Sequence, residues 1–510
     1  MLHCNQHSTV SRLLPYIFYL LLSLLIIAVI PGRPEGLVID AQHKFIQIKD
    51  LIHFNLQSIE RYYPSNDLDP EQEYPLYRPP FEYRLNGKQY IAFPYLWSYL
   101  NVGPYLLFGF YGLFLMPLLG GLLALFFFTK ITHVLFADPG VRCLAPWFYL
   151  LSTPLVFYSS AFYEATVASA LLYGSIYLYW QGSSLWKVAL SGVCLIVAAQ
   201  LRPEVLIPGG LLVAGLWALQ AKKFTNPKTW IWALSFCIAV AFFFYINYIL
   251  TGEPIGLRII DVRAHDFTLK DRLYRLFEYL IYEKWSLLVY FPAGYFTLRV
   301  FWNPRKTQAV KLFLAACWLF ILAVPMIALN QAGIDFTPRY YFPVIPFLGV
   351  YVIDSIVFQQ SRRLKRALLV IVFVWSAVFS YLNVVFQIVV SQQMSAMQQA
   401  IQPLPGKQAN VFAGYGFQPL LSNSTDKPLI VAYNLSEFEK IMRKAMSQKI
   451  SARVFIFHDK GQLFVPDRLD ITKKYYLKDN AIFQQMQPHL FLDHKNEHYM
   501  VFRFDPDQAL

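Results

Sequence analysis

The sequence predicts a mainly α, polytopic membrane protein of about eleven transmembrane helices with a small C-terminal α/β domain. Three observations predict it. Of 510 residues, 56% are hydrophobic and only 15% charged, with a mean hydropathy of +0.39, a balance that excludes an ordinary soluble protein. Apolar runs close to the ~20 residues that a hydrocarbon core requires recur along most of the chain. The positive surplus, finally, is confined to alternate ends of those runs.

The runs are Leu13–Pro31, Pro104–Phe128, Cys143–Ala161, Ala165–Trp180, Val188–Leu201, Val205–Gln220, Thr229–Leu250, Trp285–Trp302, Ala309–Asn330, Tyr340–Phe358 and Ala367–Val390. The fifth and sixth are short and meet at Leu201-Arg202-Pro203-Glu204, where they form either two spans or one bent hairpin. With the N-terminus inside, the cytoplasmic ends hold fourteen bases, among them Arg12, Lys130, Arg142, Lys187, Lys306 and Arg366, against the single acid Asp138. That difference equals the whole net charge of +13. The positive-inside rule therefore accounts for the charge, and nucleic-acid binding is not needed to explain it. The same rule puts the C-terminal segment on the outer side of the membrane.

The first run is followed by Pro31-Gly32-Arg33-Pro34 instead of a small-residue cleavage site, so it reads as a retained anchor. The five cysteines, Cys4, Cys143, Cys194, Cys237 and Cys317, fall in predicted spans or cytoplasmic ends. They form neither an outer disulfide framework nor a zinc spacing.

The domain division expected is a transmembrane module over residues 1–390, with its first outer loop at 32–103, and an outer α/β domain over 391–510. In the loop, Phe45, Ile48, Leu51, Ile52, Leu56 and Ile59 recur at three- and four-residue spacing. This predicts an amphipathic helix over Ala41–Tyr62, N-capped by Asp40 and lying along the membrane surface. Asn86-Gly87 between two alternating runs predicts a hairpin over Phe81–Tyr95 with a type I′ turn. In the tail, Asn410–Ala413, Pro428–Tyr433 and Ala452–Phe457 read as strands, and Leu435–Gln448 as a helix. No phosphate loop or paired catalytic signature occurs there, which suggests docking or support.

Charged groups kept at one face of a membrane protein are costly and therefore candidates for chemistry. Asp40 leaves the first span at the outer face, and helix capping is its structural alternative. Glu164, in Phe162-Tyr163-Glu164, occupies the outer turn between spans three and four, where it could instead stabilise a helix dipole. Arg202 and Glu204 flank Pro203 and could simply pair with each other. Arg202 and Arg339 each carry the planar donor fork suited to phosphate, with headgroup contact as the alternative for Arg339. The loop Gly252–Lys284 adds Arg258, Arg263, Lys270, Arg272, Arg275 and Lys284, several of them suited to lipid headgroups. His43, His53 and His265 are irregularly spaced and so weak as metal evidence; a divalent metal stays open, and no cofactor is certain.

Four short stretches, together with the hairpin end Tyr90-Ile91-Ala92-Phe93-Pro94, carry a resemblance. They are Ile39-Asp40-Ala41-Gln42-His43-Lys44-Phe45-Ile46-Gln47, Phe162-Tyr163-Glu164, Leu201-Arg202-Pro203-Glu204 and Pro338-Arg339-Tyr340-Tyr341-Phe342-Pro343. The chain resembles the GT-C superfamily of membrane glycosyltransferases. Within it, the likeness is to bacterial relatives of the dolichyl-phosphate-mannose protein mannosyltransferases and of the lipid A aminoarabinose transferase. The span pattern extends this likeness over roughly residues 10–390.

The resemblance implies an inverting transfer of a sugar from a polyprenyl-phosphate donor to a glycan, lipid or protein acceptor at the outer face. Because these relatives are bacterial, it also implies a bacterial inner (plasma) membrane, with the C-terminal domain in the periplasm. It implies Asp40 and Glu164 as the catalytic acids. His43, Lys44, Arg202, Glu204, Arg258, Arg339 and Tyr340 would bind substrate. Ala41 stands where many members carry a second acid, which departs from the pattern. A transporter or flippase of lipid-linked sugars is the alternative, because short spans interrupted near Pro203 can also frame a midplane site.

Overall fold

The computed structural model describes residues 9–30, 37, 40–64, 67–79, 81–181, 184–218, 226–257, 268–283, 286–303, 306–327, 339–357, 362–400, 409–413, 428–457, 484–485, 487–495 and 499–507. The chain divides into two compact units, Met1–Gly32 with Pro94–Val389 and Arg33–Phe93 with Val390–Leu510. Helix α1 (Thr9–Val29) opens the first unit, and α2 (Asp40–His53) the second.

The first unit continues with α3 (Tyr95–Phe108), α4 (Leu115–Leu135), α5 (Pro139–Ser152), α6 (Leu155–Ser159), α7 (Ala165–Gln181), α8 (Leu185–Leu201) and α9 (Leu206–Ala218). It then holds α10 (Pro227–Thr251), α11 (Leu269–Phe277), α12 (Leu287–Tyr290), α13 (Gln308–Ile327), α14 (Ile345–Val357) and most of α15 (Arg362–Ala400). Most expected runs are helices here, within a few residues at each end. Tyr95–Leu135, Pro227–Thr251, Gln308–Ile327 and Arg363–Gln393 are long and apolar enough to cross a membrane. The other apolar helices among the described residues are shorter, so length alone does not fix the expected count of about eleven crossings.

Trp285–Trp302 departs from expectation. It forms the short α12 and then a 3-10 stretch over Pro292–Trp302, because Pro292 cannot donate the next helical bond and Gly294 weakens the turn. Gly109, at φ 59°, separates α3 from a 3-10 turn over Gly109–Phe114 that leads into α4. Beside this break lies an apolar recess of about 500 Å³ between Leu24 and Ile27 of α1 and Phe108, Tyr111 and Phe114.

Small residues bring the helices together. A Cβ on Gly120 would stand 2.6 Å from the Val167 side chain, and one on Gly121 would stand 2.1 Å from the Tyr19 hydroxyl. The bare backbone of α4 therefore lets α7 and α1 approach, the small-residue packing expected in lipid. Ser175 and Ser191 each donate to the other's carbonyl, at 2.8 and 2.7 Å, and so join α7 to α8. Outward, α10 exposes Trp230, Leu234, Ile238, Phe242, Tyr245 and Ile249 at helical spacing. A stripe of this kind is a liability in water and natural against lipid. The protein is a multi-pass membrane protein.

In the second unit, β1 (Glu82–Leu85) and β2 (Lys88–Ile91) form the expected hairpin. Both turn residues take positive φ, Asn86 at 51° and Gly87 at 79°, as a type I′ turn demands. The tail folds as a five-stranded sheet of order β4-β3-β5-β7-β6, built from β3 (Ala409–Ala413), β4 (Leu429–Ala432), β5 (Ala452–Phe457), β6 (Leu490–Lys495) and β7 (Tyr499–Phe504). Helix α16 (Leu435–Ser447) packs on it through Phe438, Ile441, Met442 and Ala445. Strands β3, β4 and β5 run parallel, whereas β7 is antiparallel to both β5 and β6.

The loop is part of that domain's core. Leu68 is buried against the sheet's inner face, and Tyr74 packs beside it. The Val431 amide donates to the Tyr74 carbonyl at 3.3 Å, and the Tyr433 hydroxyl donates to the Leu76 carbonyl at 2.9 Å.

Helix α2 corrects the expected surface helix. It ends at His53, and ten of its fourteen residues, apolar and polar alike, are buried. Gln42 donates to the Leu37 carbonyl at 2.6 Å, Gln47 donates to the Ile91 and Phe93 carbonyls, and Asp50 pairs with Arg61 at 2.7 Å. Amphipathic spacing read these side chains as water-facing. Hydrogen bonding lets them be buried instead.

Candidate functional site

In the first unit, three breaks in helical structure bring charged groups together. Glu164 lies in the turn between α6 and α7, and its carbonyl accepts the first bond of α7 from the Ala168 amide at 2.9 Å. Its side chain is buried. Arg202 ends α8 in an extended conformation, since Pro203 starts a 3-10 turn that passes Glu204 and leads into α9. The Arg202 guanidinium holds one carboxylate oxygen of Glu204 with Nε at 2.7 Å and a terminal nitrogen at 2.6 Å.

Arg202 is only 7% exposed. Burial works against its charge, but the carboxylates of Glu204 and then Glu164 more than offset that, so its pKa is raised. The guanidinium thus keeps its charge in a buried place, held there by carboxylates.

The third break is the turn Arg339–Tyr341 before α14. Arg339 donates to the Tyr340 hydroxyl at 3.2 Å. The Tyr340 ring lies beside two guanidinium groups, its centroid 5.0 Å from Arg339 and 5.8 Å from Arg202, both within cation–π range. The buried Tyr341 hydroxyl donates to the Ile321 carbonyl, and Tyr173 of α7 donates to the Pro343 carbonyl at 2.8 Å. These bonds fix the turn against α13 and α7.

The structure therefore brings Arg202, Glu204, Glu164, Tyr340 and Arg339 into one cluster. It adds residues that the sequence did not single out. Tyr279 is buried with its ring 5.9 Å from Tyr340, and Glu278 pairs with Arg275 at 2.9 Å. Both sit on a π-helical turn, Glu278–Tyr282, a form frequent at functional sites. The i, i+3 spacing of Arg275 and Glu278 was the signal available in the sequence.

Asp40, His43 and Lys44 belong to the second unit. Asp40 stands in the first turn of α2 and is half-buried. His43 is buried, with ring centroids 4.1 Å from Tyr77, 4.7 Å from Phe81 and 5.3 Å from Phe93. Lys44 is buried too, its ammonium 5.2 Å from the Phe93 ring. His53 stacks on Tyr62 at 3.7 Å. Arg258, Arg263, His265 and Lys284 lie outside the described residues. Among the described residues, no group of three or more His, Cys, Asp or Glu side chains is placed to hold a metal ion.

No family model matches the chain, and no curated protein matches it in sequence. Solved structures do. The structure of ArnT from Cupriavidus metallidurans in the apo state is 12% identical and superposes with a TM-score of 0.53, over 97% of this chain and 98% of that one. The same protein bound to undecaprenyl phosphate gives 12% identity and a TM-score of 0.53, over 99% of this chain and all of that one. At this identity the likeness establishes the fold alone, which is ArnT-like.

Proposed function

We propose that the protein is an inverting glycosyltransferase that moves a sugar from a polyprenyl-phosphate donor to an acceptor at the outer face of the membrane. The observation that carries this reading is the pair of guanidinium groups, Arg202 and Arg339, which lie 5.8 and 5.0 Å from the Tyr340 ring centroid in a chain of ArnT-like fold. ArnT has been captured with undecaprenyl phosphate, which supports a lipid phosphate as the anion these groups would meet.

In the mechanism we propose, Asp40 takes the proton from the acceptor hydroxyl or amine. The freed lone pair forms a bond to the anomeric carbon as the bond from that carbon to the phosphate oxygen breaks. The departing electron pair stays on the phosphate, which becomes a monoester with one more negative charge. Arg202 and Arg339 stabilise that growing charge, the role for which preorganised donors are most effective. Glu164 and Glu204 orient Arg202, and Glu164 also orients the acceptor or sugar. Because the two guanidinium groups supply the positive charge, EDTA should leave the rate unchanged. Activity lost to EDTA and restored by Mg²⁺ or Mn²⁺ would add a cation to the mechanism.

The test uses purified protein in vesicles with a polyprenyl phosphate carrying a radiolabelled sugar and no acceptor. Slow release of free sugar that is lost in Arg202→Ala supports a transferase. Intact donor moved to the opposite leaflet without release would assign a flippase and overturn the proposal.

A further inference from the structure

Helix α11 is built the opposite way to a helix in water. At about 100° per residue, Leu269, Leu273 and Phe277 fall within one arc of about 80°, and all three are exposed. Tyr274 flanks the arc, while Ile281 and Tyr282 extend the exposed apolar surface into the following turn. The opposite face is polar, with Arg272 and Arg275 partly buried and leading to the buried Glu278 and Tyr279 of the following turn. There Arg275 pairs with buried Glu278, and Tyr279 packs against Tyr340 of the charged cluster. Thr268 and Asp271 close a capping box at its start, so the helix is well defined without burying its apolar side.

We infer that this face docks on the phospholipid of the leaflet bordering the Arg339–Tyr340 cluster, at the level of the glycerol and upper acyl carbons. The Arg272 guanidinium donates to the Met326 carbonyl at the end of α13. On that helix, long and apolar enough to span, Leu319, Leu322 and Ile327 are exposed. The exposed apolar end of the span therefore lies next to α11. Lys270 is exposed beside the arc, where its stem can lie along the acyl region while its ammonium reaches a headgroup phosphate. An apolar face with a basic margin is the pattern of an interfacial helix. Lipid packed on the outer side would then hold the turn that seats Tyr279.

The test reads position, not activity, so its outcome is independent of the proposed reaction. All five native cysteines are replaced, Leu273→Cys is introduced, and the full chain is labelled there with an environment-sensitive fluorophore in phospholipid nanodiscs. Quenching is compared for lipids spin-labelled near the headgroup end of the acyl chain, lipids labelled near its methyl end, and aqueous iodide. The inference expects the shallow lipid label to quench most strongly, at least twofold more than iodide. Dominant iodide quenching would place the face in water. Little quenching by any of the three would mean that protein covers it, and dominance of the deep label would bury it in the hydrocarbon; each overturns the inference. Leu269→Cys, one turn away, repeats the measurement should the first variant not fold.

Discussion

Arg78 and Glu437 are 359 residues apart in the chain and meet in a two-pronged ion pair, at 2.7 and 3.0 Å. The guanidinium also stands 4.2 Å from the Tyr433 ring centroid. A planar fork matched to a carboxylate adds geometry as well as energy, so this pair fixes the outer loop on the α/β domain in one register.

That relationship is measurable. Arg78→Ala and Glu437→Ala should each destabilise the loop's attachment by about 1 kcal/mol, because the pair is only partly shielded from solvent. Hydrogen exchange of the Val431 amide, which bonds to Tyr74, should speed up about fivefold in either variant. The double variant should be little worse than the singles. Additive effects would show that the pair contributes nothing beyond its separate parts.

A second prediction concerns pH. Burial raises the Glu82 carboxyl to about 8, with Arg61 opposing the rise and Asp50 adding to it. Burial likewise raises Asp50 to about 6, against the pull of Arg61. Two acids share one guanidinium in a place closed to water. An acid whose folded pKa lies above its unfolded value stabilises fully below the unfolded value, and that contribution is lost as pH rises through the folded one. The second unit should therefore lose stability as pH rises out of the ordinary carboxylate range, in a steeper stage that ends near pH 6 and a shallower one that ends near pH 8. Glu82→Gln should remove the upper stage and stabilise the unit by roughly 1–2 kcal/mol at pH 8.5. Limited proteolysis of the full chain from pH 5 to 9 would read this, and an unchanged profile in Glu82→Gln would refute it.

How much of this was legible in sequence depended on range. Strand Ala452–Phe457 and helix Leu435–Ser447 were read almost to the residue, because alternation and helical spacing are local properties. Asn86-Gly87 gave its turn for the same reason. The β6–β7 pair was missed because Asp493, His494 and Lys495 break the apolar alternation and a bulge falls between Leu492 and His494. Helix α2 misled because the partners of Gln47 and Asp50 lie tens of residues or several turns away. In the candidate site, Arg202 and Glu204 are neighbours in sequence and could be paired on sight. Their meeting with Tyr340, and the arrival of Tyr279, depend on how distant helices pack.

Those helices make a third prediction. Arg202→Ala should lower kcat/KM for the lipid-linked donor by about 10²–10³-fold, the usual range for removing a donor aimed at developing charge. Arg202→Lys should recover only part of this, since an ammonium cannot reproduce the fork. Glu204→Gln keeps the shape and removes the competing carboxylate, so it should tighten donor binding while lowering kcat. Initial rates at varied donor concentration separate the two effects. A Glu204→Gln variant with weaker donor binding and unchanged kcat would show that Glu204 contacts the donor directly.

The fourth prediction bears on the base. Asp40 lies half-buried in the first turn of α2, where a carboxylate also favours the helix N-terminus. A capping role and a catalytic role respond differently to the same two substitutions. Asp40→Asn retains capping ability but cannot accept a proton, so insertion and abundance should match the native protein while transfer falls by at least about 10³-fold. Asp40→Glu keeps the charge but displaces it, and should restore part of the rate. Transfer by Asp40→Asn within a few-fold of native would leave Asp40 as a cap and require another group to take the proton.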